Sequence, residues 1–276
     1  MTPPAVLSPE RPATVIRAGP PIHPAVAHRE TAERLLAALR NDEFVLYAQP
    51  IVPASPEAQA SAKDLHQEIL VRFLEEEQKL LPPGSFLPIL DEFGLTIYLD
   101  RWVVNRTIRW MRRQPLGAPF MRNAINLSLE ALMDRSFAAF VAKQVETGQV
   151  PGNSLSFEIL LDEASECQEG TDWLIRQLRP IGCTFSLCCY AGEPRQALLL
   201  EALRPDFAKL DVDLVGRMDR DPLEAATVED IASRCDALGI RTIAEHVERA
   251  ETRERLVEAG VDFVQGFLVG VPGPLK

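Results

Sequence analysis

The 276-residue sequence predicts an α/β fold, a TIM-like (β/α)8 barrel built as one domain behind a flexible N-terminal tail. Two observations lead to this prediction. Short apolar runs alternate about eight times with longer segments of helical spacing, which indicates a parallel sheet able to close into a barrel. The chain length suits one such barrel, and a hydrophobic content of 46% provides a substantial core.

The predicted elements begin after a proline-rich segment. Prolines recur from Pro3 to Pro24 and disfavour regular helix, so we predict a flexible tail over residues 1–27 and the barrel domain over residues 28–276. The predicted strands are Glu43–Gln49, Gln67–Phe73, Asn123–Leu127, Ser154–Ile159, Thr184–Cys188, Phe207–Leu210, Arg241–Ala244 and Phe263–Phe267. The predicted helices include Leu99–Met111, Leu129–Val145, Thr171–Leu178 and Ala226–Leu238, and Pro53–Lys63 is predicted as a surface loop.

The overall charge of the chain restricts its partners. A net charge of −11 repels phosphate backbones and anionic lipids, so we expect neither nucleic acid polymers nor membranes, although a small anionic ligand could bind in a local basic pocket. No apolar stretch reaches the roughly 18 residues that a membrane-spanning helix needs. The five cysteines, an odd number without an apolar leader, favour reduced thiols and a cytoplasmic location.

Polar side chains recur at the ends of the predicted strands, where barrel enzymes place their functional residues. They are Gln49, Glu68, Asn126, Glu158, Lys209, Asp211, Glu245, Glu248 and Gln265. Any one of them alone is better explained by a capped loop or a surface ion pair. Their recurrence from strand to strand predicts that they converge at the mouth of the barrel.

Several of these residues stand in short motifs that follow one another in a fixed order. The segment Glu68–Arg72 reads Glu-Ile-Leu-Val-Arg. The other motifs are Leu46–Val52, Phe86–Leu95, Leu99–Val103, Asn126–Ser128, Phe157–Ile159, Lys209–Asp211, Ala244–Glu248, and Gln265–Phe267 with Pro272. From about residue 30 to the C-terminus they resemble the EAL family of cyclic-di-GMP phosphodiesterases, whose signature is Glu-Ala-Leu-x-Arg.

The resemblance implies hydrolysis of cyclic-di-GMP with two Mg²⁺ or Mn²⁺ ions. It implies that Glu68, Asn126, Glu158 and Glu245 are retained metal ligands and that Lys209 orients the attacking water. The residues that it implies in ligand contact are Gln49, Glu68, Leu70, Arg72, Asp100, Glu248 and Gln265. Among them Arg72 would meet a phosphate and Asp100 a guanine edge. A surface ion pair for Arg72 and a helix N-cap for Asp100 stay open as alternatives.

The departures from the family pattern concern catalysis. The family's fifth strand ends in Asp-Asp-Phe-Gly-Thr-Gly, whereas the same place here, counted back from Lys209, reads Cys188-Cys189-Tyr190-Ala191-Gly192-Glu193. Smaller departures are Ile69 for alanine in the signature, Leu161 for a second glutamate and His246, a loop histidine, for glycine. Because thiols are soft ligands and mostly neutral near neutral pH, we expect the Mg²⁺ or Mn²⁺ site to be lost, with no other cofactor and no hydrolysis. Zinc at the two cysteines is disfavoured, since neighbours on a strand point to opposite faces.

Two functional hypotheses follow from retained and lost residues. The first is a degenerate EAL domain that binds cyclic-di-GMP as a receptor in bacterial second-messenger signalling. The second is a nucleotide-independent regulator that uses the barrel to bind another protein. The resemblance further implies homodimers formed near the fifth-strand loop, which is altered here, so the oligomeric state and the protein partner stay open.

Overall fold

The computed structural model describes residues 24–62, 65–74, 80–115 and 118–275. Its strands are β1 Phe44–Pro53, β2 Leu65–Leu74, β3 Leu80–Leu81, β4 Met121–Asn126, β5 Leu155–Leu160, β6 Thr184–Tyr190, β7 Phe207–Leu210, β8 Arg241–Ala244, β9 Phe263–Gln265 and β10 Gly273–Pro274. Its helices are α1 Pro24–Arg40, α2 Pro56–Ser61, α3 Leu87–Glu92, α4 Thr96–Met111, α5 Leu129–Met133, α6 Arg135–Gly148, α7 Leu161–Glu166, α8 Gln168–Leu178, α9 Pro194–Leu203, α10 Val212–Arg217, α11 Pro222–Ala237 and α12 Ala250–Glu258.

The strands close into the predicted barrel. Neighbouring strands follow the order β1, β9, β8, β7, β6, β5, β4, β2, and β1 then pairs with β2 to complete the ring. The strands from β2 to β9 that form the ring run parallel to one another, but β1 is antiparallel to both of its neighbours. The parallel pairing expected for the first strand is therefore wrong. The described part of the connection between β1 and β2 contains the six-residue α2, and the whole connection is short for the crossover of a dozen or more residues that a parallel pair needs.

Two predicted elements differ from the structure in informative ways. The expected loop Pro53–Lys63 instead contains α2, because the Ser55 hydroxyl accepts a hydrogen bond from the Ala58 amide and caps the helix (Lys63 itself lies outside the described residues). The expected helix Leu129–Val145 is divided into α5 and α6 at Asp134. The Asp134 carboxylate accepts the amide hydrogen bond of Ser136 at 2.8 Å and starts the second helix.

The N-terminal tail predicted for residues 1–27 lies almost wholly outside the described residues, and its extent stays a prediction. The first described helix, α1, begins at Pro24. It places Leu35 and Ala38 in the core between the helices and the barrel wall. Among the described residues no helix combines the length and apolar character needed to cross a bilayer.

Side chains inside the barrel form two layers. The lower layer is apolar at Ile51, Ala124, Phe207 and Ile243, which cluster across strands that are not all neighbours. Side chains two residues apart on a strand point the same way, so the next inward positions form a second layer one pleat nearer the mouth. The upper layer consists of Gln49, Glu68, Asn126, Glu158, Cys188, Lys209, Glu245 and Gln265. The side chains of this layer therefore come from seven barrel strands and from Glu245, which directly follows β8.

Candidate functional site

The Lys209 ammonium group lies at the centre of the upper layer. Its Nζ atom is 3.2 Å from Oε2 of Glu68, 2.9 Å from Oε1 of Glu158 and 2.9 Å from Oε1 of Glu245. Lys209 and Glu158 are each only 1% exposed, and Glu68 is also buried. One buried ammonium thus holds together carboxylates that come from three different strands or strand ends.

Glu68 receives two further hydrogen bonds from amide side chains. Asn126 donates from Nδ2 to Oε1 at 2.8 Å, and Gln265 donates from Nε2 to Oε2 at 2.7 Å. Gln265 also donates to Oε1 of Gln49 at 3.1 Å, and Gln49 in turn donates to the carbonyl oxygen of Gly270 at 3.0 Å. The orientation of every side chain in this chain of bonds is thereby determined by its neighbours.

The surroundings of the two buried glutamates shift their pKa values in opposite directions. Burial alone would raise the pKa of Glu68, but Lys209, Gln265 and Asn126 together lower it below its ordinary value. Glu158 receives no such bond from an amide side chain within the described part of the chain, and burial raises its pKa to about 8 despite the ammonium of Lys209. Burial opposes the charge on Lys209, but Glu158, Glu68 and Glu245 raise its pKa well above the ordinary value. Glu68 is therefore ionised near neutral pH, whereas Glu158 retains a proton.

The two consecutive cysteines have different surroundings. Cys188 is 5% exposed and completes the upper layer, and burial raises the pKa of its thiol well above the ordinary value. Cys189 is exposed and has a backbone φ of +66° at a break in the pairing register between Leu187 and Tyr190. This break sends the two side chains to different environments, which agrees with the expectation that they do not share one zinc ion.

The upper layer contains some of the ligands that a hard divalent cation prefers. Glu68, Asn126, Glu158 and Glu245 offer oxygen atoms that would suit Mg²⁺ or Mn²⁺. Cys188, however, contributes a protonated sulfur where a further carboxylate would be needed, and Lys209 already neutralises part of the carboxylate charge. The residues present therefore fit a pair of divalent cations poorly.

A cavity of about 610 Å³ opens beside the upper layer, between the ends of β2 and β4 and the helices α3, α4 and α7. Asp100 lies in its wall, 6% exposed, and its Oδ2 accepts hydrogen bonds from the amide and the hydroxyl of Ser128 at 3.1 and 2.6 Å. The alternative of an N-cap is wrong, because α4 begins at Thr96 and Asp100 lies inside it. Burial raises the pKa of Asp100 to about 7.

The remaining residues predicted to contact the ligand differ in whether they line this cavity. Leu70 lines the cavity together with Asn126. Arg72 is half-buried, lies 5.6 Å above the Tyr47 ring, and forms no salt bridge within the described part of the chain, so the proposed surface ion pair is not found there. Glu248 is exposed beyond β8 and is not part of the hydrogen-bonded upper layer. His246 is also exposed and has a φ of +56°.

One carboxylate in the cavity wall escaped the sequence reasoning. Glu163 belongs to α7 and faces the cavity that Asp100 also lines. The prediction considered residues at strand ends, whereas Glu163 lies three residues beyond the end of β5. The helical spacing of Leu161 and Ala164, which are buried, indicates that α7 packs on the barrel and would have placed Glu163 between them.

Comparison with known proteins assigns the chain. The family model described as the EAL domain matches residues 32–272. This protein belongs to the EAL domain family. Cyclic di-GMP phosphodiesterase PdeF of Escherichia coli is 29% identical over 242 residues, and cyclic di-GMP phosphodiesterase PdeB of Shewanella oneidensis is 29% identical over 247 residues. Each match covers 88% of this chain but only 32% and 28% of the relative, so the chain spans about a third of these proteins.

Solved EAL structures have the same barrel. The FimX EAL domain of Xanthomonas citri, in complex with c-diGMP, superposes with a TM-score of 0.83 at 24% identity and covers 91% of this chain and 97% of that one. The c-di-GMP complex of the phosphodiesterase PaMucR gives a TM-score of 0.79 at 26% identity, with 89% and 98% coverage. These structures confirm the predicted fold, and the match to the family model confirms the predicted family.

Proposed function

We propose that this EAL domain binds cyclic-di-GMP without hydrolysing it and acts as a receptor in second-messenger signalling. The observation that carries the proposal is the position of Cys188. It occupies the upper layer beside Glu158 and Lys209, buried and protonated, where a metal-bridging carboxylate would be needed. A neutral thiol neither binds Mg²⁺ or Mn²⁺ well nor helps to hold two such ions close together.

Binding of the nucleotide is supported by the shape and polarity of the site. The cavity beside the upper layer falls in the range of about 300–1,000 Å³ typical of small-molecule sites and has apolar walls with a few polar groups. Arg72, without an acidic partner among the described residues, offers a guanidinium suited to a phosphate. Similar proteins include named cyclic di-GMP phosphodiesterases and a FimX EAL domain in complex with c-diGMP.

The buried carboxylates oppose an anionic ligand less than their number suggests. Lys209 supplies one positive charge to Glu68, Glu158 and Glu245, and the raised pKa of Glu158 keeps a proton on that residue near neutral pH. The negative charge that the buried carboxylates present to a ligand is thereby reduced. A phosphodiester can approach such a group at a cost that favourable contacts elsewhere offset, without any cation between them.

The first experiment measures binding and turnover on the full chain. We expect isothermal titration calorimetry in EDTA to detect cyclic-di-GMP binding, and Arg72→Ala to weaken it by about tenfold or more. The matched control is Arg109→Ala, which replaces an exposed arginine near the C-terminal end of α4 and should bind cyclic-di-GMP like the wild type. Incubation with excess Mg²⁺ or Mn²⁺ should give no linear product. Turnover of about 1 per second or faster would contradict the proposal.

A nucleotide-independent regulator is the second candidate. It is favoured by exposed apolar residues after β9, where Phe267 is 62% and Val271 65% exposed, and by the altered segment Cys188–Glu193. Apolar side chains grouped on a surface often mark protein interfaces. Absence of both binding heat and a thermal shift at high cyclic-di-GMP concentration would favour this candidate. Sedimentation of the same samples would test homodimer formation, and the free cysteines of the described chain suit a reducing, cytoplasmic location.

A further inference from the structure

The cavity beside the upper layer is lined by apolar side chains and by carboxylates. Its apolar lining includes Leu70, Leu87, Pro88, Leu99 and Val103. Such walls suit the two faces of an aromatic base, which bury well against aliphatic side chains. The acidic side chains that line the same cavity are Asp91, Asp100 and Glu163.

Two of these carboxylates retain acceptor capacity inside the cavity wall. Asp100 accepts both of its hydrogen bonds from Ser128 on Oδ2, so Oδ1 takes no part in them. Glu163 has a buried Oε2 atom without a hydrogen-bond partner among the described residues. Asp91 differs because it is exposed at the rim. Glu130, a neighbouring carboxylate, already accepts a hydrogen bond from Thr96.

A buried carboxylate oxygen without a donor is costly, and a ligand that supplies N–H groups would remove that cost. Burial, followed by the charge of Asp100, raises the pKa of Glu163 to about 7, as expected for a carboxylate that lacks donors in the free protein. The neighbouring charged groups are also acidic, namely Glu130, Asp91 and Glu166. The cavity wall therefore offers acceptors to a neutral group rich in N–H donors.

We infer that Glu163 acts with Asp100 as a specificity residue that recognises the guanine edge of the ligand. Guanine carries an amino group at its 2-position, and adenine does not. Beside that amino group guanine presents its ring N–H, so two donors lie in one plane. In its ionised form, which hydrogen bonds from the two donors of the base favour, a carboxylate is an acceptor only and matches this edge, whereas the amide of glutamine offers one acceptor and one donor group. This inference rests on the proposed function, because it assumes that cyclic-di-GMP occupies the cavity.

The decisive ligand pair is cyclic-di-GMP and its inosine analogue, which lacks the 2-amino groups. Wild-type protein should prefer cyclic-di-GMP by about tenfold, because a well-placed pair of hydrogen bonds discriminates bases by roughly that factor or more. Glu163→Gln should reduce this preference to about threefold or less. Its amide cannot accept from the 2-amino group and the ring N–H together. Binding of the inosine analogue should change little.

Calorimetry of both ligands with wild type, Glu163→Gln and Glu166→Gln tests the inference. Glu166 lies on the same short helix but is exposed and does not line the cavity, so this variant should keep the wild-type preference. Thermal denaturation checks that both variants are folded. If cyclic-di-GMP binds and Glu163→Gln keeps its full preference over the inosine analogue, the role of Glu163 is refuted while the receptor proposal stands. If the wild type binds neither ligand, both proposals fail.

Discussion

Replacement of Lys209 by methionine tests how the upper layer is stabilised. Lys209→Met keeps a long, flexible side chain of similar volume but removes the ammonium that lies within 3.2 Å of Glu68, Glu158 and Glu245. Glu68 and Glu158 then remain buried without their counter-charge, and the partly buried Glu245 loses the same partner. Because Lys209 is 1% exposed, water cannot replace the lost interaction without disturbing the barrel interior.

The expected loss is large compared with ordinary protein stability. Removal of one partner from a buried ion pair costs about 3–5 kcal/mol, and single domains are stable by about 5–15 kcal/mol. The loss should be greatest at high pH. Without the ammonium, burial makes the carboxyls of Glu68 and Glu158 hold their protons to higher pH when folded than in the unfolded chain, where glutamate titrates near 4.3. Stability of the variant therefore falls as pH rises above that value.

Urea denaturation followed by circular dichroism at about pH 8 and about pH 5 measures both effects. We expect Lys209→Met to lose about 3–5 kcal/mol at the higher pH and clearly less at the lower one. Lys143→Met, at an exposed lysine of α6, is the control and should remain within about 0.5 kcal/mol of wild type. Addition of Glu158→Gln to Lys209→Met should restore part of the loss. A loss below about 1 kcal/mol, or one that is larger at pH 5, would refute this account of the network.

Two further predictions concern the fifth strand of the ring and the close packing of a turn. The double variant Cys188→Asp with Cys189→Asp should have a lower melting temperature in EDTA, because Cys188→Asp adds a buried carboxylate. Addition of Mn²⁺ should raise the melting temperature again. Hydrolysis by this variant at about 1 per second or faster would show that these two positions were the whole catalytic defect. Gly152→Ala should cost about 2–3 kcal/mol in thermal unfolding, because the added Cβ would lie 1.8 Å from the carbonyl oxygen of Ile181. The helical control Gly216→Ala has nothing within 4 Å and should be neutral or stabilising, so equal losses in both variants would contradict this packing argument.

The order of strands and helices could be predicted because each strand contains its own apolar run. Exact strand ends depended on pairing partners that the sequence does not identify. The strand predicted to end at Cys188 continues to Tyr190, since a bulge at Cys189 allows Tyr190 to pair with Leu210 of β7. The antiparallel direction of β1 likewise depends on the short connection through α2, whose helical character comes from the cap at Ser55.

The upper layer was more predictable than the cavity. Asn126 and Lys209 could be placed at the mouth because each follows a buried strand residue at the spacing of two that keeps side chains on one face. Closure of the barrel then brings both side chains within hydrogen-bonding distance of Glu68. Glu163 could not be found in this way. The buried Leu161 and Ala164 indicate that α7 packs on the barrel. They do not indicate that α7 lies across a cavity from α3 and α4, because that arrangement depends on packing between distant segments.

Retention of the catalytic-type residues does not by itself indicate catalysis in this barrel. Glu68, Glu158 and Glu245 share the ammonium of Lys209, so loss of any one partner would leave a buried charge unbalanced or a donor unsatisfied. Stability alone therefore disfavours their replacement, whether or not the barrel hydrolyses a substrate. Residues outside this network are free of that constraint. Arg72 has no acidic partner in the described part of the chain, and its effect on ligand binding is thus the more direct measure of function.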